Sequence, residues 1–206
     1  LGNLCLSKMD YRNASEYYVQ ALKLFKSAGN MNGAAITLTN LGVAARSDGS
    51  YQIANTRFEE SLNLFRSLNN TKGIAHSLCN GGITNIRIGE TDKARAWLQE
   101  SLSSLHESGD QQGIAEVFEG FGSLSVELEN WADAAVFFGF AETLRETIGA
   151  PLTLAESEDY NRETALLKSA SPETASQYWK RGSELSMDIA IAFALGLTPQ
   201  ATAVIS

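Results

Sequence analysis

Through the first 150 residues apolar side chains recur at helical spacing, and short polar stretches break the runs at regular intervals. The breaks fall in two columns. One holds Asp48-Gly49-Ser50 and Ile88-Gly89-Glu90, aligned with Met9-Asp10 and Glu129-Asn130. The other holds Gly29-Asn30, Asn69-Asn70, Gly109-Asp110 and Gly149-Ala150. Gly or Asn suits the left-handed residue that ends a helix, and the Asn or Asp beside it suits the N-cap of the next. The pattern predicts helices over 12–28, 32–48, 51–68, 71–88, 91–107, 111–128 and 131–147, with a helical remnant at 1–8.

The pattern also repeats every 40 residues. Gly stands at 2, 42, 82 and 122, Ala at 14, 54, 94 and 134, Ala again at 35, 75, 115 and 155, and Gly at 33, 73 and 113. Ala21–Phe25, Ser61–Phe65 and Ser101–Leu105 fall in one register. Such a period means stacked helix pairs, each burying its apolar face on its neighbours. Small Gly42, Gly82, Ala54 and Ala94 let helix axes approach, and Tyr18, Phe58, Leu98 and Phe138 fill the space one turn after the Ala. The expected fold is all-α: a right-handed α–α superhelix, or solenoid, over 1–150, with units starting near 1, 41, 81 and 121. Leu1-Gly2 matches the middle of a first helix, so the first unit is expected to be truncated, the chain cut from a longer array and its N-terminal end an exposed apolar face.

After Ala150 the period fails. Pro151 stops it, Thr153-Leu154-Ala155-Glu156 reads as a capping box for a helix to about Ser169, and Ser171-Pro172 reads as N-cap and first residue of another. Ser186 caps a last helix through Leu195, whose apolar run from Ile189 is too short for a membrane span and is expected to be buried. Residues 151–197 are thus expected as capping helices, and Thr198–Ser206 as a loose tail.

With 44% apolar residues in 206, the chain buries a core without needing disulfides or metal. Its two cysteines, Cys5 and Cys79, have no CxxC spacing and are expected as reduced packing residues in a cytoplasmic setting. A net charge of −8 argues against a grip on nucleic acid, and no stretch is long enough to enter a membrane. There is no phosphate-binding loop and no basic recognition helix. His76 has only Cys79 at ligand spacing, a weak metal signal, and His106 ends a helix where a cation is favoured. Glu59-Glu60 and Glu156-Glu158-Asp159 read as solvated faces, while Trp97, Trp131, Phe137, Phe138 and Phe140 read as core. No catalytic constellation, metal site or cofactor is expected.

The columns Leu41-Gly42, Ala54, Phe58 and Ser61, with their counterparts at Leu1-Gly2, Ala14, Tyr18 and Ala21 and at Gly122, Ala134, Phe138 and Ala141, resemble the tetratricopeptide repeat. The period exceeds that family's usual length by six residues, and its usual Pro is absent. The closing stretch, Phe138 to Arg145, Gly149-Ala150-Pro151-Leu152, Tyr160, Tyr178-Trp179, Gly182 and Leu185-Ser186, resembles the end of the tetratricopeptide arm in large bacterial ATPase regulators of the LuxR/MalT-like type. That resemblance implies a non-catalytic sensor or interaction arm of a transcriptional or signalling regulator. A free-standing adaptor that binds a partner peptide is the alternative, and an enzyme with a site in the groove a remote one.

In a tetratricopeptide superhelix the first helices line a concave groove. The Gly column places Asn3, Thr39, Asn40, Val43, Arg46, His76, Cys79, Asn80, Ile83, Arg87, Glu116, Glu119, Ser123 and Glu127 on or near it. Asn40 and Asn80 share a column, either as amides reading a peptide backbone or as turn caps and water-facing groups. The set does not reproduce the Lys/Asn clamp by which some members of the family hold a terminal carboxylate. The expected partner is a protein or peptide, or a small effector, with self-association through the N-terminal end also open.

Overall fold

A computed structural model describes residues 1–197, apart from the side chains of 154–156. The described residues form helices and no strand: α1 (Gly2–Ser7), α2 (Tyr11–Ser27), α3 (Met31–Ser47), α4 (Tyr51–Ser67), α5 (Thr71–Arg87), α6 (Thr91–Ser108), α7 (Gln111–Glu127), α8 (Trp131–Ile148), α9 (Leu154–Ala170), α10 (Pro172–Ser183) and α11 (Met187–Ala194). The all-helical, paired architecture expected from the period is therefore present. In the repeat region each observed boundary lies within one residue of its expected place.

The turns work as their residue types dictate. Asp10, Asn30, Asn70, Asp110 and Asn130 are N-caps whose side chains accept from the backbone N–H three residues on, at 2.8 Å for Gly33 and 2.9 Å for Gly73. Gly29, Gly49, Gly89, Gly109 and Gly149 take the left-handed conformation, joined by Met9, Asn69 and Glu129 in the same columns. The N–H beyond each reaches back to close the helix, as Asn30 does to the Phe25 carbonyl at 2.9 Å. Asn40 and Asn80 lie inside α3 and α5, so neither is a turn cap. The capping box needs the side chains of 154–156, and the expected tail is 198–206; both lie outside what is described, although α9 does begin directly after Thr153.

The chain forms two compact units, Leu1–Trp97 and Leu98–Ser206. In the first, α2 packs on α3, α3 on α4 and α4 on α5, while α3 also meets α5. The Gly column faces the aromatic column: a methyl group on Gly42 would stand 2.6 Å from the Phe58 ring, and one on Gly2 2.6 Å from Tyr18. Those positions are small because a ring already fills the space. Phe58, Leu62 and Phe65 are buried, and each such side chain contributes roughly 1.5–3 kcal/mol.

In the second unit α8 packs on α7 and equally closely on α10. The α8–α10 crossing is a backbone contact, because Gly139 lies against the Trp179 carbonyl and Gly182 against the Val136 carbonyl. Phe118, Phe121, Phe137, Phe138 and Phe140 are buried, with Phe137 stacked on Phe193 of α11 at 4.9 Å and Phe138 edge-on to Tyr160 at 5.4 Å. The aromatic run is core, and Ala190, Ile191, Phe193 and Ala194 of the last helix are buried with it, while Ile189 stays exposed. No helix of the described residues is long and apolar enough to cross a membrane.

Candidate partner-binding site

The first helices of the first unit, α3 and α5, lie side by side, and their shared face carries most of the expected residues. Arg46 reaches from α3 to donate to the Asn80 carbonyl at 3.4 Å. The Asn80 amide donates to the His76 carbonyl one turn back at 3.0 Å. Asn40, Val43, Arg46, His76, Asn80, Ile83 and Arg87 are all half-buried. Cys79 is buried, and so belongs to the packing and not to the face.

Thr39 stands deeper than its register suggests. Its hydroxyl lies 2.7 Å from that of Ser61 and 3.5 Å from that of Ser77, while Ser61 also donates to the Ala35 carbonyl at 2.9 Å. The three hydroxyls form a polar seam joining α3, α4 and α5. Asn3, exposed on α1, accepts from the Tyr18 hydroxyl at 2.7 Å. Asn3 and Asn40 both line an open groove of about 520 Å³ bounded by α1, α2 and α3.

The residues expected on α7 divide. Glu116 is half-buried and accepts from Gln112 at 3.3 Å, and Glu127 is exposed. Glu119 holds Arg145 of α8 by two bonds, at 2.5 Å and 2.9 Å, and Arg145 also donates to the Ala150 carbonyl at 3.2 Å. Ser123 is buried and donates to Glu163 of α9 in a very short bond. The Glu119 and Ser123 side chains therefore tie α7 to α8 and α9. One signal for this was visible: Arg145 occupies the column of Phe25, Phe65 and Leu105, where a charge demands a buried partner.

Charge separates the two faces. α3 and α5 carry Arg46, Lys72 and Arg87 and no carboxylate, whereas α7 carries Glu116, Glu119 and Glu127 and no Lys or Arg. Nearby, burial and then the Glu142 and Glu119 carboxylates push the Tyr160 phenol well above its ordinary range. No cluster of three or more His, Cys, Asp or Glu among the described residues is placed to hold a metal ion.

A comparison with curated proteins finds none that matches this chain. The profile of one family, described as "Tetratricopeptide repeat", matches residues 1–67 and again 33–106. Those matches together span residues 1–106 of 206, just over half the chain, and cover the turns, glycine columns and helix pairs of the first unit. Folds of this kind are typically non-catalytic and indicate a scaffold for protein–protein interaction. The chain belongs to the tetratricopeptide repeat family.

Proposed function

We propose that this chain is the sensor or interaction arm of a larger bacterial regulator of the LuxR/MalT-like type, acting in the cytoplasm, and that it holds a peptide, protein or small effector on the face of α3 and α5. The observation that carries this reading is the half-buried row Asn40, Arg46, Asn80 and Arg87 on adjacent first helices. Amides one repeat apart suit a ligand backbone running across the helices, and the cations favour a carboxylate on it. Occupation of the face would then bias how the arm sits against a nucleotide-binding module. The test is binding of candidate effectors to the whole protein and to Arg46→Ala and Asn80→Ala variants, with nucleotide hydrolysis measured alongside. Loss of binding in folded variants supports the face. Effector binding that leaves hydrolysis and assembly unchanged removes the switching role and leaves an adaptor.

A further inference from the structure

The repeats join one helix pair to the next by the same contact each time. Phe25, Phe65 and Leu105, near the ends of α2, α4 and α6, lie on Gly33, Gly73 and Gly113 of the following helix. A methyl group on any of these glycines would run into that side chain. The fourth junction, from α8 to α9, departs from the rule, because the same two columns hold Arg145 and Thr153. Arg145 turns to Glu119 and to the Ala150 carbonyl, and so fastens α8 to α7. Thr153 is exposed. The contact that seats α3, α5 and α7 is therefore missing at α9.

What holds α9 is one stripe at helical spacing: Tyr160, Glu163, Thr164 and Leu167. Among its described side chains Glu163, Thr164 and Leu167 are buried, so a carboxyl and a hydroxyl stand where α7 buries Ile114, Val117, Phe118 and Phe121. Thr164 donates back to Asn161 of its own helix at 3.3 Å. Glu163 accepts from Ser123 of α7, whose single hydroxyl hydrogen also has the Glu119 carbonyl within reach at 3.0 Å. Arg162, 3.7 Å from Glu163, is largely in solvent and holds Asp159. The apolar share is Leu167, beside Val126, Ala134 and Phe138, and the Tyr160 ring, edge-on to Phe138. That is little burial for a helix of 17 residues. The segments at its two ends are built to bend. Pro151 and Thr153 are exposed ahead of it, and Pro172 behind it has no N–H with which to carry the helix on. Beyond Pro172, α10 is pinned to α8 by the backbone contacts at Gly139 and Gly182. We propose that α9 is a releasable strap, latched by Glu163 on Ser123, which lifts from α7 and α8 as a unit while α8 and α10 stay packed, and which uncovers the Tyr160-facing edge of Phe138.

The strap is independent of the α3–α5 face, and its test needs no ligand. Hydrogen exchange of the folded full chain is followed amide by amide, in increasing urea held below the unfolding transition. The α9 amides are expected to open at least about a hundredfold more often than those of α7 and α8, with a shallow urea dependence, because their opening exposes little surface. Ser123→Ala removes the latch and raises the α9 opening by about tenfold or more. Phe193→Leu weakens a contact that survives when the strap lifts, the stack on Phe137. It therefore lowers the protection of α8 and leaves that of α9 unchanged. If α9 is as protected as α8, or if Phe193→Leu speeds the two helices equally, α9 opens only with the whole unit and the proposal falls. An α9 opening that Ser123→Ala does not change overturns the latch.

Discussion

Phe25 in the first unit and Arg145 in the second occupy the same column of the repeat, three periods apart, and the molecule finishes them in opposite ways. Phe25 lines an uncharged groove and keeps a third of its surface in solvent. Arg145 is buried, clamped by Glu119 and the Ala150 carbonyl, in a unit whose last helix pair is covered by α9, α10 and α11. The repeat thus prescribes the backbone and the spacing, while the chemistry of this column follows from what covers it. At Phe65 and Leu105, buried among the repeat helices, the column is apolar. Where α9, α10 and α11 follow the repeats, a guanidinium is tolerated because each of its three nitrogens donates to an acceptor.

The largest effect should come from removing that guanidinium. Arg145→Ala leaves the Glu119 carboxylate, which is only 14% exposed, without its bidentate partner, at a cost of about 3–5 kcal/mol in a urea unfolding experiment. Phe25→Ala, in the same column, should cost less, about 1–2 kcal/mol, because a third of that side chain already faces water. Equal losses at the two positions would mean that the groove beside Phe25 is covered in solution. Next in size is Gly139→Ala. The added methyl group meets the backbone carbonyl of Trp179, which cannot turn aside as a side chain can, so a loss of about 1–3 kcal/mol is expected, with a change in tryptophan fluorescence as α10 shifts. Gly42→Ala provides the comparison in the first unit, since there the methyl group meets the buried ring of Phe58, a side chain and not a backbone carbonyl.

A pH dependence at high pH is expected in both units, and its cause is clearest at Tyr160. The Tyr160 phenol is raised mainly by burial and then by Glu142 and Glu119, so the folded state favours its neutral form. Its contribution to stability is fully present below the ordinary phenol range and is lost as pH rises past about 10. Tyr160→Phe should therefore flatten the decline in stability of the full chain above that pH, and a decline of unchanged steepness would show that the phenol is not the responsible group. Tyr18 in the first unit is raised as well, by burial first and then by the Cys5 side chain, so Tyr18→Phe is the matching control.

The same contrast explains which features were legible in the sequence. Helix ends were, because Gly49, Gly89, Asn30 and Asn70 act within a few residues of themselves and need no knowledge of the rest. The Gly42–Phe58 pairing was legible through its repetition. The α8–α10 crossing was not: Gly139 and Gly182 belong to none of the 40-residue columns, and only the three-dimensional approach of two backbones gives them meaning. The exposure of the residues expected on α3 and α5 was legible to within one residue along a helix. Thr39 and Asn40 are neighbours, yet the hydroxyls of Ser61 and Ser77 draw Thr39 into the seam and leave Asn40 at the rim. Ser123 shows the same limit, since its partner Glu163 lies beyond the end of the repeat pattern.

The smallest effect should be one that the two units share. Met9 and Glu129 take left-handed conformations, φ 59° and 55°, at positions where Gly49 and Gly89 stand in the intervening turns. A side chain there crowds the backbone, and glycine removes the crowding while adding freedom to the unfolded chain. Met9 is 38% exposed and Glu129 is exposed, so little packing is lost with either side chain. Met9→Gly and Glu129→Gly are each expected to stabilise the full chain by roughly 0.5–1 kcal/mol, read as a rise in the urea midpoint at constant slope. A gain at Glu129 without one at Met9 would show that the turn leading into α2 relaxes in solution while the turn leading into α8 does not.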